Sequence, residues 1–273
     1  MLYNGIKRRR SSMSSTLYYH GKLDSAVKLL RMAYGFDNWH EVLRLSEDLY
    51  EDSLQAYNMQ MISADTILHT KRTIIYYIGY ALLMQGIAYQ KLSEFDKSKE
   101  CILKYGDFGW VVNPDDEAQS EIEFYANTSK LNLIVLDLLE GINDNIGKYI
   151  SFIQENREET TAGLLTLLEA NRINDLQVSD YQLMFEEHAS ESVRESIRQE
   201  DMPAYLKYMY EYALYKIRTS DQETAINNIL ECLAISSKIS NDKSIKYVSL
   251  FEKLRDYATL SQIDKYKNIL EGI

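Results

Sequence analysis

The sequence predicts an all-α protein built from antiparallel helical hairpins, and three observations carry that prediction. Apolar residues recur at helical spacing almost from end to end. Helix breakers are scarce: two prolines, Pro114 and Pro203, and 11 glycines in 273 residues. Pairs of small or apolar residues then recur 12 positions apart in successive hairpins. Few alternating β-branched runs compete with this reading, and a chain of this length buries roughly 75% of its unfolded surface without a metal or disulfide staple.

Taken in order, a first helical pattern covers about 6–20 and ends in the turn His20-Gly21-Lys22. A second, about 23–34, carries Ala26, Val27, Leu30 and Ala33. Gly35-Phe36-Asp37-Asn38 breaks it, and Asn38 suits an N-cap because its side-chain oxygen can take up a free amide donor. The next helix buries Trp39, Val42, Leu43, Leu45, Ser46, Leu49 and Tyr50. Residues 56–70 read as its continuation plus a loop. A long helix over about 71–92 and a shorter one over 95–105 form the clearest hairpin, followed by the glycine-interrupted connection GDFGWVVN at 106–113. Pro114 is expected in a first helical turn, where a missing amide hydrogen costs nothing. Asp115, Asp116 and Glu117 then favour the positive end of a helix reaching about 140. Helices follow at about 143–155, 158–174 and 178–189, a charged and loosely packed stretch at 186–201, and helices at 203–218, 222–238, 243–258 and 260–271.

The repeat emerges when the hairpins are aligned. Gly86 precedes Ser98 by 12, with Ile102 and Tyr105 continuing at +4 and +7. Ala213 precedes Ala225 by the same 12, with Ile229 and Cys232 beyond it. Ser14, Ala26, Leu30 and Ala33 hold the same intervals, as do Ile134, Ile146, Ile150 and Ile153. Small side chains at such positions let two helix axes approach to about 8–10 Å. Each hairpin leaves a face for the next to cover, which gives a stacked array.

This small–small–aromatic pattern resembles the tetratricopeptide repeat and matches it best at 79–105. Over a wider span, IIYYIGYALLMQGIAYQKLSEFDKSKECILKY (74–105), LLTLLEANRIND (164–175) and SLFEKLRDYATLSQIDKYKNIL (249–270) are similar to the sensor region of helix-turn-helix/tetratricopeptide transcriptional regulators of Gram-positive bacteria. These are of the peptide-pheromone-responsive type. The resemblance spans most of 17–271 and implies a right-handed superhelix of hairpins, an α-solenoid, over 17–273, with a looser break near 186–202. It also implies a short peptide or protein partner in a concave groove and control of transcription through a DNA-binding domain or partner. Such regulators begin with a DNA-reading domain, and residues 1–16, a basic and partly helical segment, are too few for one. Direct nucleic-acid binding by this chain is therefore not expected.

Within that resemblance, the first helix of each hairpin lines the groove. The register points Tyr80, Leu83, Ile87 and Gln90 there, with Asn127 and Asn132 at the margin of a second hairpin and Lys207 and Tyr210 in a third. Apolar pockets would hold peptide side chains while Asn, Gln and Tyr bond its main chain. The alternative is that these residues pack between helices or face water. A second alternative is a stand-alone adaptor or antagonist, for example of a mobile element, that binds a protein partner without any peptide.

Charge and composition narrow the classes further. The formal net charge is −11, and Lys7, Arg8, Arg9 and Arg10 contribute +4 of it, leaving a body of −15 that repels a phosphate backbone. The basic run reads as a solvated terminal segment, and RRRSS at 8–12 as a chance match to a phosphorylation context. Cys101 and Cys232 have no partner at metal or disulfide spacing, which fits reduced core thiols and a cytoplasmic protein. No run of 18 apolar residues predicts a membrane span. His20, His40, His69 and His188 form no ligand pair, adjacent carboxylates project apart, and GDFGW lacks the lysine and strand of a phosphate loop. No catalytic residues, metal or cofactor are expected. Tyr247, Leu250, Phe251, Leu254 and Tyr257 form an apolar face suited to a homodimer through the C-terminal hairpins, unless Tyr266, Ile269 and Leu270 cover it.

Overall fold

The computed structural model describes residues 21–62, 70–239 and 244–272. The pattern expected at 6–20, the basic run and RRRSS, His20 and His69 lie outside them. Among the described residues every regular element is helical and there is no strand. Among the described residues, expected and observed helix boundaries agree within about four residues.

The chain divides into two compact units, Met1–Leu136 and Asp137–Ile273. The first contains α1 (Lys22–Gly35), α2 (Trp39–Ile62), α3 (Ile74–Lys91), α4 (Phe95–Gly106) and most of α5 (Asp116–Leu139). Helix α2 packs against α1 and α3, and α3 against α4. Asn38 caps α2 as expected, its Oδ1 accepting the Glu41 amide hydrogen at 3.3 Å. Pro114 is not helical: Asp115 caps α5 instead, its Oδ1 accepting from the Ala118 amide at 2.8 Å, and the proline sits just before it. A carboxylate oxygen can satisfy a free helix donor and a proline ring cannot, so the helix begins one residue after the acid.

The second unit contains α6 (Ile146–Glu155), α7 (Thr160–Asn174), α8 (Gln182–His188), α9 (Glu191–Ser196), α10 (Met202–Arg218), α11 (Gln222–Ile239), α12 (Ile245–Leu254) and α13 (Leu260–Glu271). Helix α10 lies against both α7 and α11, and α11 meets α12 and α13. The stretch expected to be loose, 186–201, holds the short α9, tied to α11 by the Arg194–Glu231 ion pair at 2.9 Å. Pro203 stands in the first turn of α10, where proline is tolerated. Thr259 and Gln262 form a reciprocal capping box at the start of α13. Phe251 stacks on Tyr266 at 3.9 Å between ring centroids, and Tyr247, Leu250 and Leu254 are buried. So α11 and Tyr266 of α13 cover the apolar face of α12 within the same chain, leaving Tyr257 and Leu260 exposed.

One backbone feature recurs at the aligned positions. Seven residues after Ser14, Gly86, Ile134 and Ala213 stand Gly21, Ser93, Gly141 and Ser220, and all four adopt a left-handed conformation with φ of 70°, 62°, 83° and 63°. After the last three, the following amide reaches back five residues: Glu94 to the Tyr89 carbonyl, Ile142 to Asp137 and Asp221 to Lys216, each at 2.8 Å. This is the Schellman closure, which satisfies carbonyls that a helix end leaves open. The turn from α1 to α2 closes the same way through Asp37, φ 53°, and the Asn38 amide.

Several of the described tyrosines behave as amphipathic packing residues, rings inside and hydroxyls bonded. Tyr125 donates to the Tyr76 carbonyl at 2.9 Å, Tyr208 to that of Phe185 at 2.6 Å, and Tyr77 to the Asp24 carboxylate at 2.6 Å.

Candidate functional site

Helix α3 has two contrasting sides. Tyr77, Ile78, Ala81, Leu82, Gln85 and Ala88 are buried in the unit, whereas Tyr76, Tyr80, Leu83, Ile87 and Gln90 form a half-buried stripe at helical spacing. The structure thus brings together four residues that the register assigned to a groove. Thr73 starts the helix by accepting the Tyr76 amide hydrogen on its side chain, which fixes where the stripe begins.

Aromatic and cationic groups crowd the first turns of this stripe. Tyr76 and Tyr80 stack at 5.6 Å with an interplanar angle of 11°. Arg72 lies 4.6 Å from the Tyr76 ring centroid and is ion-paired with the buried Glu121 of α5. Arg31 of α1 lies 5.7 Å from the Tyr80 ring centroid and donates through Nη2 to the Tyr76 hydroxyl at 3.2 Å. Burial pushes the Tyr80 hydroxyl above the ordinary tyrosine range, so it stays a neutral hydrogen-bonding group at neutral pH.

The remaining assignments fall elsewhere. Asn132 is half-buried, and its Nδ2 donates to the Tyr105 hydroxyl at 2.7 Å, joining α5 to α4. Asn127 is exposed on α5, near Lys130, whose Nζ donates to it at 3.4 Å. Lys207 and Tyr210 are half-buried on α10 in the second unit. Tyr210 meets Tyr247 edge-on at 5.9 Å and has the Lys246 ammonium 4.9 Å from its ring centroid.

A cleft in the first unit was not apparent from periodicity. Tyr50, Ile78, Leu82, Leu103, Phe108 and Trp110 line a cleft of about 340 Å³ in the first unit, with Lys104 and Asp107 at its edge. The connection GDFGW forms one wall: Asp107 Oδ1 accepts the Gly109 amide hydrogen at 2.9 Å, Phe108 is buried, and Trp110 is 45% exposed. A tryptophan in a glycine-flanked connection is the one sequence signal that pointed there.

Burial also governs the two thiols and His188. Burial pushes the Cys101 thiol up to about 11 and the Cys232 thiol up to about 12, so neither is a thiolate near neutrality. Burial lowers His188 to about 4, and its Nε2 lies 2.9 Å from the Thr161 hydroxyl. Among the described residues no group of His, Cys, Asp or Glu could hold a metal ion, and no helix is long and apolar enough to cross a membrane.

The fold and the stripe together define an all-helical protein with an aromatic-aliphatic surface flanked by guanidinium groups. Comparison with family models, curated proteins and solved structures finds no match to this chain.

Proposed function

We propose that the chain is a regulatory sensor domain of tetratricopeptide-like architecture, in which α3 presents its half-buried stripe to a short peptide. The observation that carries this reading is the stripe itself. Tyr76, Tyr80, Leu83 and Ile87 are only half covered, and Gln90 ends the row with a side-chain donor and acceptor. Such a surface suits an extended peptide, which needs apolar contacts on one side and polar groups for its backbone. The stacked-hairpin architecture is supported by the four left-handed turn residues at one position of the aligned frame. Peptide binding would be read out by a DNA-binding domain or partner, as in the regulators that the sequence resembles. Isothermal titration with peptides of about 5–10 residues from the genomic neighbourhood tests the reading. Heat of binding that disappears in Leu83→Asp supports it, and silence from every such peptide overturns it.

A second reading, a protein-binding adaptor with no peptide ligand, is favoured by a different surface. Leu29, Met32 and Phe36 of the α1 segment follow one another at helical spacing and are 53%, 59% and 76% exposed. A stoichiometric complex that withstands saturating peptide and is lost in Met32→Glu would favour the adaptor. Self-association through the C-terminal hairpins would draw on Ile245, Tyr257, Leu260 and Leu270, which remain exposed there.

A further inference from the structure

We propose that the cleft walled by Trp110 is a separate binding site of the first unit, built for a free α-amino acid with an aromatic or large aliphatic side chain. It is independent of the peptide reading, because the cleft lies on the buried side of α3, away from the stripe.

The floor of the cleft is Ile78 and Leu82 of α3, both buried, and Tyr50, Phe108 and Trp110 stand around it. At 3.6 residues per turn, Ile78 and Leu82 project from the side of the helix opposite Tyr80 and Ile87. The aromatic wall is held by the connection that follows α4. The Gly109 amide donates to Asp107 Oδ1 at 2.9 Å, the Val111 amide to the Phe108 carbonyl at 2.9 Å, and the Val112 amide to the Tyr57 hydroxyl at 3.3 Å. Tyr57 meets the Trp110 ring edge-on at 5.1 Å between centroids, and Phe108 lies 5.8 Å from it. A wall fixed in this way loses little freedom when a ligand settles against it.

Size and charge select the occupant. A cleft of about 340 Å³ lies at the low end for small-molecule sites and has room for one ring and its substituents. Two opposite charges share its rim, Lys104 in the last turn of α4 and Asp107 immediately after that helix. The ammonium of a lysine carries three donors, and the Asp107 carboxylate keeps acceptor positions beyond the one given to Gly109. A ligand with a carboxylate alone would meet Lys104 but be repelled by Asp107 and by a formal charge of −11. One with an ammonium alone would face Lys104 as a like charge. A zwitterion answers both, with its carboxylate at Lys104, its ammonium at Asp107 and its apolar side chain between Leu82 and Trp110. A residue within a peptide or at either end of one lacks at least one of these charges, so the rim separates free amino acids from peptides.

The test reads Trp110 directly. The chain has two tryptophans, and Trp39→Phe leaves Trp110 as its only indole. Its fluorescence in the full chain is titrated with L-phenylalanine, L-leucine and L-alanine, and with phenethylamine and 3-phenylpropionate, each of which lacks one charge. Calorimetry repeats the titrations on wild type. We expect L-phenylalanine and L-leucine to saturate on the order of 1 mM, and L-alanine, with no apolar body, to give no change there. Phenethylamine and 3-phenylpropionate should each bind roughly tenfold more weakly, through loss of one charge-assisted contact. Lys104→Gln should weaken L-phenylalanine by a similar factor and leave phenethylamine unchanged. Asp107→Asn, which keeps an acceptor for the Gly109 amide, should weaken L-phenylalanine and spare 3-phenylpropionate. Lys99→Gln, elsewhere on α4, should change nothing, and urea unfolding shows whether any variant has disturbed the fold. No saturable response to L-phenylalanine by either method overturns the proposal. So does a one-charge analogue that binds as tightly as the amino acid, or a loss in the rim variants that is the same for all three probes. The peptide reading of the stripe stands or falls separately, on its own titration.

Discussion

Replacing Gly79 with alanine should destabilise the first unit, against the sign that helix propensity predicts. An added methyl at a helix-interior glycine ordinarily stabilises by about 1 kcal/mol. A Cβ built on Gly79, however, would overlap the ring of Tyr125, which is 1% exposed and anchored through its hydroxyl to the Tyr76 carbonyl at 2.9 Å. Moving a buried ring out of a packed core costs about 1–3 kcal/mol, and losing its hydrogen bond about 1 more. After the propensity gain, the expected loss is about 1–3 kcal/mol. Two other glycines supply controls. At Gly86 a Cβ would meet its nearest neighbour, Cys101, at 3.5 Å, an ordinary contact, and at Gly147 it would meet nothing within 4 Å. Both alanine variants should gain about 0.5–1 kcal/mol. Urea unfolding followed by circular dichroism measures all three, and Gly79→Ala with Tyr125→Leu should regain part of the loss. A Gly79→Ala midpoint raised as much as that of Gly86→Ala would refute the packing argument.

Other perturbations read different parts of the structure. Lowering the pH from about 6.5 to about 4 should reduce stability, because the unfolded chain protonates His188 in that window while the buried, neutral imidazole in the folded chain does not. His188→Gln should flatten this part of the stability–pH curve, and an unchanged slope would rule out His188 as the source. Arg72→Met should cost about 1–3 kcal/mol because Glu121 is 5% exposed and would lose its counter-charge. Lys216→Met should cost less than about 1 kcal/mol in the same unfolding assay, since the side chains of its partners Glu186 and Asp221 are 41% and 37% exposed and can rehydrate. Asn132→Ala should lower stability by about 1 kcal/mol through the lost Tyr105 bond, and titration with a bound peptide should show affinity unchanged.

The contrast between Gly79 and Gly86 marks where sequence reasoning reached its limit. Periodicity put both glycines on the same side of one helix, and the 12-residue interval singled out Gly86 and Ser98 as the close approach. That pair does touch, with the Ser98 hydroxyl donating to the Gly86 carbonyl at 2.9 Å. The glycine that tolerates no side chain is nevertheless Gly79, because the ring above it comes from Tyr125, 46 residues later in the chain. A pattern confined to neighbouring turns carries no information about such a partner. The same limit explains the site. The stripe Tyr80, Leu83, Ile87 and Gln90 was legible because helical spacing alone puts those residues on one face. Arg31 was not, since it reaches Tyr76 from a helix 45 positions earlier. The bond from Asn132 to Tyr105 was hidden for a related reason, since its partner belongs to another helix.

The turns were half legible, and the missing half bears on how the hairpins were built. Glycine is the residue that signals a left-handed helix end, and Gly141 carries that signal, while Gly21 is left-handed at the start of α1. Ser93 and Ser220 adopt the same conformation without it, at a backbone cost that a non-glycine residue ordinarily avoids. Each is held by the same closing hydrogen bond from the next amide, Glu94 to Tyr89 and Asp221 to Lys216. A conformation kept at corresponding positions by chemically different residues is imposed by the packing of the two helices it joins. Serine in place of glycine also removes conformational freedom from the unfolded chain, which offsets part of the strain. Ser93→Gly and Ser220→Gly should therefore change stability by less than about 1 kcal/mol each, whereas a β-branched Ser93→Val should cost more. If valine were accepted as readily as glycine, the left-handed turn would not be a constraint of the hairpin, and the shared frame would lose its strongest structural support.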